Sequence, residues 1–504
     1  MRKILLASAA MLGGIATLGH AQIAAPSQGQ LVAPYGAGPA TNNNNNAWGI
    51  ANTPSGSAAA GPLSSEYPPN VIAHPAPGTI VIHLNGRVEV DVTANYTSVD
   101  RGLNTNGTPN GYKLNPLGVG SFFRLYPGFD GLAANGLRYG ASVELRENFP
   151  GGTTANGAGA VAAGAAAASP SGNSSGETLF VRRAFTYLAS DQAGLLRLGQ
   201  GDGVIGLFDN CIFTSQCWDA GDGGLDAGGS QQDQPGNVSP PFVWLAQVGA
   251  EYANSKIVYL SPQVYGFDFG VQYAPSQGNA FSNASGSTPI EAAPCGQAGP
   301  NCLNLSSGND PTRWLNQVGA GLRYQHNFGA VDFKSYGFWE TAGKEDPTAI
   351  TIVKTTPAAG TGQIRYDNLN FYKAGVAVTA LNTTFAVDYI GGAINGQLNE
   401  RPTGGAPMNA VTTGLTYYSG PMTLGLEYGV IDSQGQANLA HTSQRHEWEI
   451  AFGGSYRLAP GVQLVAEYQY AQRHQGDFDF STGSVGTTRD AKYQGLTFAT
   501  ILTW

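Results

Sequence analysis

Ile80-Val81-Ile82-His83-Leu84-Asn85-Gly86-Arg87-Val88-Glu89-Val90-Asp91-Val92-Thr93-Ala94-Asn95-Tyr96 is the stretch that decides the fold. Its even positions, Ile80, Ile82, Leu84, Val88, Val90, Val92 and Tyr96, are apolar, and from His83 onward every odd position is polar. Successive side chains of a strand point to opposite faces, so this segment has one oily face and one wet face. A strand of a soluble domain runs about five or six residues, whereas a tilted bilayer crossing takes roughly ten. An antiparallel sheet with one solvated face alternates in the same way, so recurrence has to decide.

The pattern recurs. Residues 137–146, 267–273, 318–325, 372–378, 385–389, 422–430, 448–456 and 462–470 alternate cleanly. Weaker runs at 120–126, 178–188, 194–199, 255–261, 331–339, 411–418 and 493–504 bring the expectation to about sixteen strands. The connections also sort themselves. Long polar stretches (98–118, 150–177, 201–248, 275–313, 343–366, 392–408, 432–445, 474–490) alternate with shorter links at 127–136, 190–194, 262–266, 327–329, 381–383, 419–421 and 459–461. A transmembrane antiparallel β-barrel places short turns in the periplasm and long loops outside, which predicts this alternation.

Composition agrees. Of 504 residues only 12% are charged, with 71 Gly, 23 Tyr and 21 Phe. A mean hydropathy of -0.15 suits a barrel that encloses a polar lumen within an apolar belt. The net charge of -9 argues against a nucleic-acid partner, which would require a basic face. At the N-terminus, Arg2 and Lys3 precede an apolar run over residues 4–18 and then Gly19-His20-Ala21. That is the layout of a signal peptide cut after Ala21, so residues 1–21 are read as an export signal. Residues 22–78, rich in Ala, Pro, Gly, Ser and Asn, read as a flexible leader, with a tether or a lumen plug as the alternative. The barrel is expected over 79–504.

Leu496, Phe498, Leu502 and Trp504 share one parity, broken only by Thr500. A chain finishing on an aromatic residue of an alternating strand resembles the C-terminal signature of outer-membrane β-barrels, carried here by Phe498, Leu502 and Trp504. A second match is Arg182-Arg183-Ala184-Phe185-Thr186-Tyr187-Leu188, a tight turn, then Gly194-Leu195-Leu196-Arg197-Leu198-Gly199. With these, residues 79–504 resemble the Gram-negative general porins, and the two segments look like that family's fourth and fifth strands. The resemblance implies a sixteen-stranded, trimeric outer-membrane channel for small hydrophilic solutes and ions. It implies bacterial outer-membrane lipid as the surroundings, and a pore-constricting loop at about 201–248. The long leader, the four cysteines and the Ala/Gly-rich second loop depart from the enteric members.

A porin carries out no reaction, and no cofactor is expected. Its chemistry is a charged constriction. Strand parity places Arg87, Arg124, Arg138, Arg146, Arg182 and Arg197 on the lumen side and Arg183 toward lipid or a neighbouring subunit. The expected inserted loop offers Asp202, Asp209, Asp219, Asp222 and Asp226. Opposed rows of charge across a narrow wet gap orient dipolar solutes and bias ion passage. The plainer alternative is a structural ladder of these arginines with Glu89 and Glu144.

Cys211/Cys217 and Cys295/Cys302 lie pairwise inside two long loops, and in an oxidising compartment read as two local disulfides, with cross-pairing open. Metal sites use closer spacings with histidine partners, so none is expected at the cysteines. Asp219, Asp222 and Asp226 offer oxygens for calcium without EF-hand spacing; a solvated acidic loop is the simpler reading. Gly201-Asp202-Gly203-Val204-Ile205-Gly206 fits a dinucleotide fingerprint but lacks the helix that would receive a pyrophosphate. Gly172-Asn173-Ser174-Ser175-Gly176 lacks the strand–turn–helix context of a nucleophile elbow. The competing class is a non-conducting barrel for attachment or scaffolding, separated from a channel by conductance.

Overall fold

The computed structural model describes residues 77–98, 101–103, 109–113, 115–149, 180–190, 192–201, 203–205, 255–276, 314–344, 367–395, 401, 404–435, 444–459, 461–480 and 484–504. The expected signal peptide and nearly all of the leader lie outside them. In chain order the strands are β1 (Thr79–Thr97), β2 (Arg101–Leu103), β3 (Pro109–Lys113), β4 (Leu117–Leu132), β5 (Arg138–Phe149), β6 (Phe180–Ser190) and β7 (Gly194–Gln200). Then come β8 (Ser255–Leu260), β9 (Phe267–Ser276), β10 (Trp314–Asn327), β11 (Val331–Lys344), β12 (Leu369–Ala380), β13 (Thr383–Ala393) and β14 (Met408–Ser419). The last are β15 (Met422–Ser433), β16 (Arg445–Ala459), β17 (Val462–His474), β18 (Phe478–Asp479), β19 (Ser484–Val485) and β20 (Ala491–Thr503).

Sixteen of these strands close into one barrel, each pairing antiparallel with its neighbours in the chain, and β1 meeting both β4 and β20. The other four form two small ribbons, β2–β3 and β18–β19, inside long connections that read as plain loops in the sequence. β4 also runs further than expected, through Pro127 to Leu132. A proline without an N–H reads as a strand end, but Pro127 sits in register with Leu84 of the long β1, which carries the strand past it.

The alternation becomes two faces. On β1, Val90, Val92 and Tyr96 are exposed while Glu89, Asp91, Thr93 and Asn95 are buried. Exposed Val271, Val318, Leu322, Val376, Leu415, Leu424 and Leu426 continue the apolar exterior around the wall. Aromatic residues border it. Phe267, Phe328, Phe385, Tyr417, Tyr456 and Trp504 lie exposed toward the short turns, and Tyr96, Tyr273, Trp339, Tyr372 and Tyr428 toward the long loops. Amphipathic rings prefer the two membrane–water boundaries, so this belt has the form of a hydrocarbon crossing.

The short turns are locally encoded. Leu381 and Asn382 both take positive φ, 50° and 61°, as a two-residue turn that follows the strand twist requires. The barrel closes where β1 runs beside β20 from Arg87↔Thr503 to Thr97↔Tyr493. Gly86 and Trp504 exchange two backbone hydrogen bonds of 3.1 and 3.2 Å. A methyl group on Gly86 would sit 2.1 Å from Cζ2 of Trp504, so the indole covers that glycine.

Candidate functional site

The inward face of the wall is the candidate site. Arg323 on β10 makes a bidentate contact with Asp268 on β9, Nε to Oδ1 at 3.0 Å and Nη2 to Oδ2 at 2.7 Å, with both side chains about 1% exposed. Lys373 on β12 meets Asp388 on β13 at 2.8 Å, and the Tyr336 hydroxyl of β11 donates to the same carboxylate at 3.0 Å. Planar, charge-assisted pairs of this kind hold buried groups in fixed orientation. They stiffen the wall rather than leaving all its charge to a solute.

A second network receives the segment that follows β7. The Val204 amide donates to Gln272 Oε1 at 2.5 Å, Gln272 donates to Glu340 at 3.0 Å, and Gln317 donates to the other oxygen of Glu340. Gln272 lies on the inward face of β9, and Val204 packs against Gly270 of that strand. Val204 and Ile205 are 0% and 1% exposed. The chain leaving the fifth barrel strand therefore turns into the barrel, not over it. Asp209, Asp219, Asp222, Asp226, Cys211, Cys217, Cys295 and Cys302 lie outside the described residues, as does Asp202.

The arginines fall along one arc of the wall. Register places Arg87 opposite Arg124, and Arg124 opposite Arg146, across β1, β4 and β5. Arg138 stands opposite Ala189, a buried position of β6. Arg197 is buried on β7 with its guanidinium 4.2 Å above the Phe185 ring. Glu144 pairs with Arg183 and Leu145 with Val181, so Arg182 is the extra residue of a bulge. Arg183 then shares the parity of inward Phe185 and Tyr187. The shift falls between Val181 and Arg183, so alternation is continuous from Arg183 through Tyr187 and breaks only before it.

The inward face also carries a run of carboxylates, of which the sequence reading named only Glu89. Glu427 on β15, Glu447 and Glu449 on β16, Glu467 on β17, and Glu89 and Asp91 on β1 are all inward and buried. Arg473 pairs with Glu447. The strand parity that selected the arginines applies equally to these acids, so the signal was available. Phe498, Leu502 and Trp504 lie in or directly after β20 and are exposed on the outer face.

A family model described as Gram-negative porin matches residues 47–476. No curated relative matches the sequence. Similar solved structures include an anion-selective porin from Comamonas acidovorans, 13% identical, covering 84% of this chain and 100% of that one with a TM-score of 0.46. The outer membrane channel DcaP of Acinetobacter baumannii is 12% identical over 86% of this chain and 99% of that one, TM-score 0.46. OmpT of Vibrio cholerae in its trimer form is 10% identical over 84% and 99%, TM-score 0.44. With the family match spanning most of its length, the chain belongs to the Gram-negative porins, channel-forming β-barrels of the bacterial outer membrane.

Proposed function

We propose that this barrel is a passive diffusion channel for small hydrophilic solutes and ions, narrowed by a charged constriction. The observation that supports it most is the charge carried by the inward face. Glu89, Asp91, Glu427, Glu447, Glu449 and Glu467 are buried there together with Arg197, Arg445 and Arg473. Charges of both signs lining a narrow lumen set up local fields that a dipolar, hydrated solute can follow and an apolar one cannot. The segment that enters after β7, anchored inside through Val204 and Gln272, is the one assigned to the constriction in this reading. Assembly as a homotrimer in outer-membrane lipid belongs to the same reading.

Single-channel conductance of the refolded protein in a planar bilayer, under a salt gradient, tests it. Ohmic steps arriving in threes are expected, and the reversal potential reports which sign of charge dominates. Silence from protein shown to be folded and inserted would reject the diffusion channel and promote the attachment barrel.

A further inference from the structure

The connection between β17 and β20 does not stay above the barrel. β17 alternates with Glu467, Gln469, Ala471 and Arg473 buried on the inward face, and β20 turns Ala491 and Tyr493 the same way. Phe478 and Phe480, beyond the end of β17, are fully buried and cluster with Ala471, Ala491 and Tyr493. The Phe side chains therefore lie on the lumen face. Backbone bonds from Phe480 N to Arg489 O (3.1 Å) and from Arg489 N to Phe478 O (3.0 Å) tie the arm to its returning limb.

Residues from two further strands clamp this arm. The Arg445 guanidinium of β16 lies 5.0 Å from the Phe480 ring and 5.4 Å from the Phe478 ring. Arg473 stands 5.9 Å from Phe480 and is itself held by Glu447. Arg445 Nε also donates to Gln475 Oε1 at 3.0 Å, and Gln475 Nε2 donates to the Gln434 carbonyl beyond β15 at 3.0 Å. There Gly435 is bound to Asn395, with its amide on Asn395 Oδ1 at 2.9 Å and its carbonyl taking the Asn395 amide at 3.2 Å. A methyl group on Gly435 would lie 2.5 Å from both Arg445 Cβ and Gln475 Oε1, so the contact is close-packed. Contacts thus run from β20 across β17 and β16 to the end of β15. That spans three interstrand spacings, roughly 14 Å of the inner wall.

We infer that residues 475–480, locked by Arg445 and Arg473, form a second size-limiting element at the long-loop mouth, separate from the segment that enters after β7. Cation–π contacts in a desolvated setting, backed by side-chain hydrogen bonds, make this arm a fixed obstruction, not a swinging lid. It sets the upper size of hydrated solute admitted at that mouth. The inference rests on the channel reading.

The test compares wild type with F478S/F480S and with a variant whose residues 476–488 are replaced by a short Gly-Ser turn. Single-channel conductance is read for each, along with swelling rates of loaded vesicles in sugars of increasing size. Heat-dependent gel mobility first establishes that each barrel is folded. A rise in conductance of roughly two-fold, with passage of larger sugars in both variants, is the expected result, because conduction follows the narrowest water-filled section. A silent wild type beside conducting variants also supports the arm as an obstruction. Folded variants with wild-type conductance and size limit overturn the inference and leave the channel reading standing. Silence from all three barrels, folded and inserted, overturns both.

Discussion

The two faces of a single strand in this wall obey different rules, and β10 shows it in adjacent residues. Leu322 is 54% exposed on the outside; Arg323, next along the chain, is 1% exposed on the inside and clamped to Asp268. The outer face meets fluid hydrocarbon, which fits any apolar shape but solvates no charge. The inner face carries buried charge, and pairs such as Arg323 with Asp268 depend on each partner being present. The largest expected effect comes from breaking the inner rule. Asp268→Ala leaves the Arg323 guanidinium buried without its bidentate acceptor and should cost about 3–5 kcal/mol of barrel stability. The double change Asp268→Leu with Arg323→Met should recover most of that loss, since both charges go together. Urea midpoints of the folded protein in detergent would read both. If the single and double variants unfold together, the pair is not what holds this section of wall.

Breaking the outer rule should cost somewhat less. Leu426 on β15 lies exposed between the two aromatic borders, opposite Leu415 and Phe452. Leu426→Arg should destabilise insertion by about 2–4 kcal/mol, the range for an arginine on the lipid face near the midplane. Leu426→Phe, which alters shape alone, should fall within experimental scatter. Partitioning between folded, membrane-inserted and urea-unfolded forms separates them. A tolerated arginine at this site would mean the surface is covered by protein and not by lipid.

This difference between faces also explains what was legible in the sequence. The outer face advertises itself, because every strand must present Val, Leu, Phe or Tyr at alternate positions whatever its neighbours are. That local requirement gave sixteen strands and the order of long and short connections. Trp504 was readable for the same reason. The inner face is written across strands. Arg323 finds Asp268 and Lys373 finds Asp388 only once register is known, and register depends on turns and bulges. One extra residue at Arg182 shifts the register between β5 and β6, which strict alternation does not reveal. The inward arm offered only the short alternation Asp477-Phe478-Asp479-Phe480, and Gln475, Phe478 and Phe480 meet Arg445, Arg473 and Gln434 on other elements.

The seam between β1 and β20 combines both rules, because Trp504 is an outer aromatic residue resting on a glycine. Gly86→Val puts side-chain atoms into the space the indole occupies, and the ring has to move off the wall. The expected cost is about 1–3 kcal/mol, as for overpacking elsewhere. It should appear as a lower temperature for the loss of the folded band and a red-shifted tryptophan emission. An unchanged emission spectrum would show that the ring accommodates the side chain in place.

The smallest effect should run in the stabilising direction, at a position outside both faces. Leu381 is 90% exposed at the turn between β12 and β13 and holds a φ of 50°, where a branched apolar side chain is strained. Among the described residues it is left almost fully exposed. Leu381→Asn keeps the backbone geometry with a residue that enters the left-handed region readily, and should gain roughly 0.5–1 kcal/mol. Because the turn lies beyond the membrane belt, conductance should stay at the wild-type value while the unfolding midpoint rises. A fall in the midpoint would mean that Leu381 contributes through burial in a partner or in lipid, and that the apolar exterior extends past the aromatic border at this end.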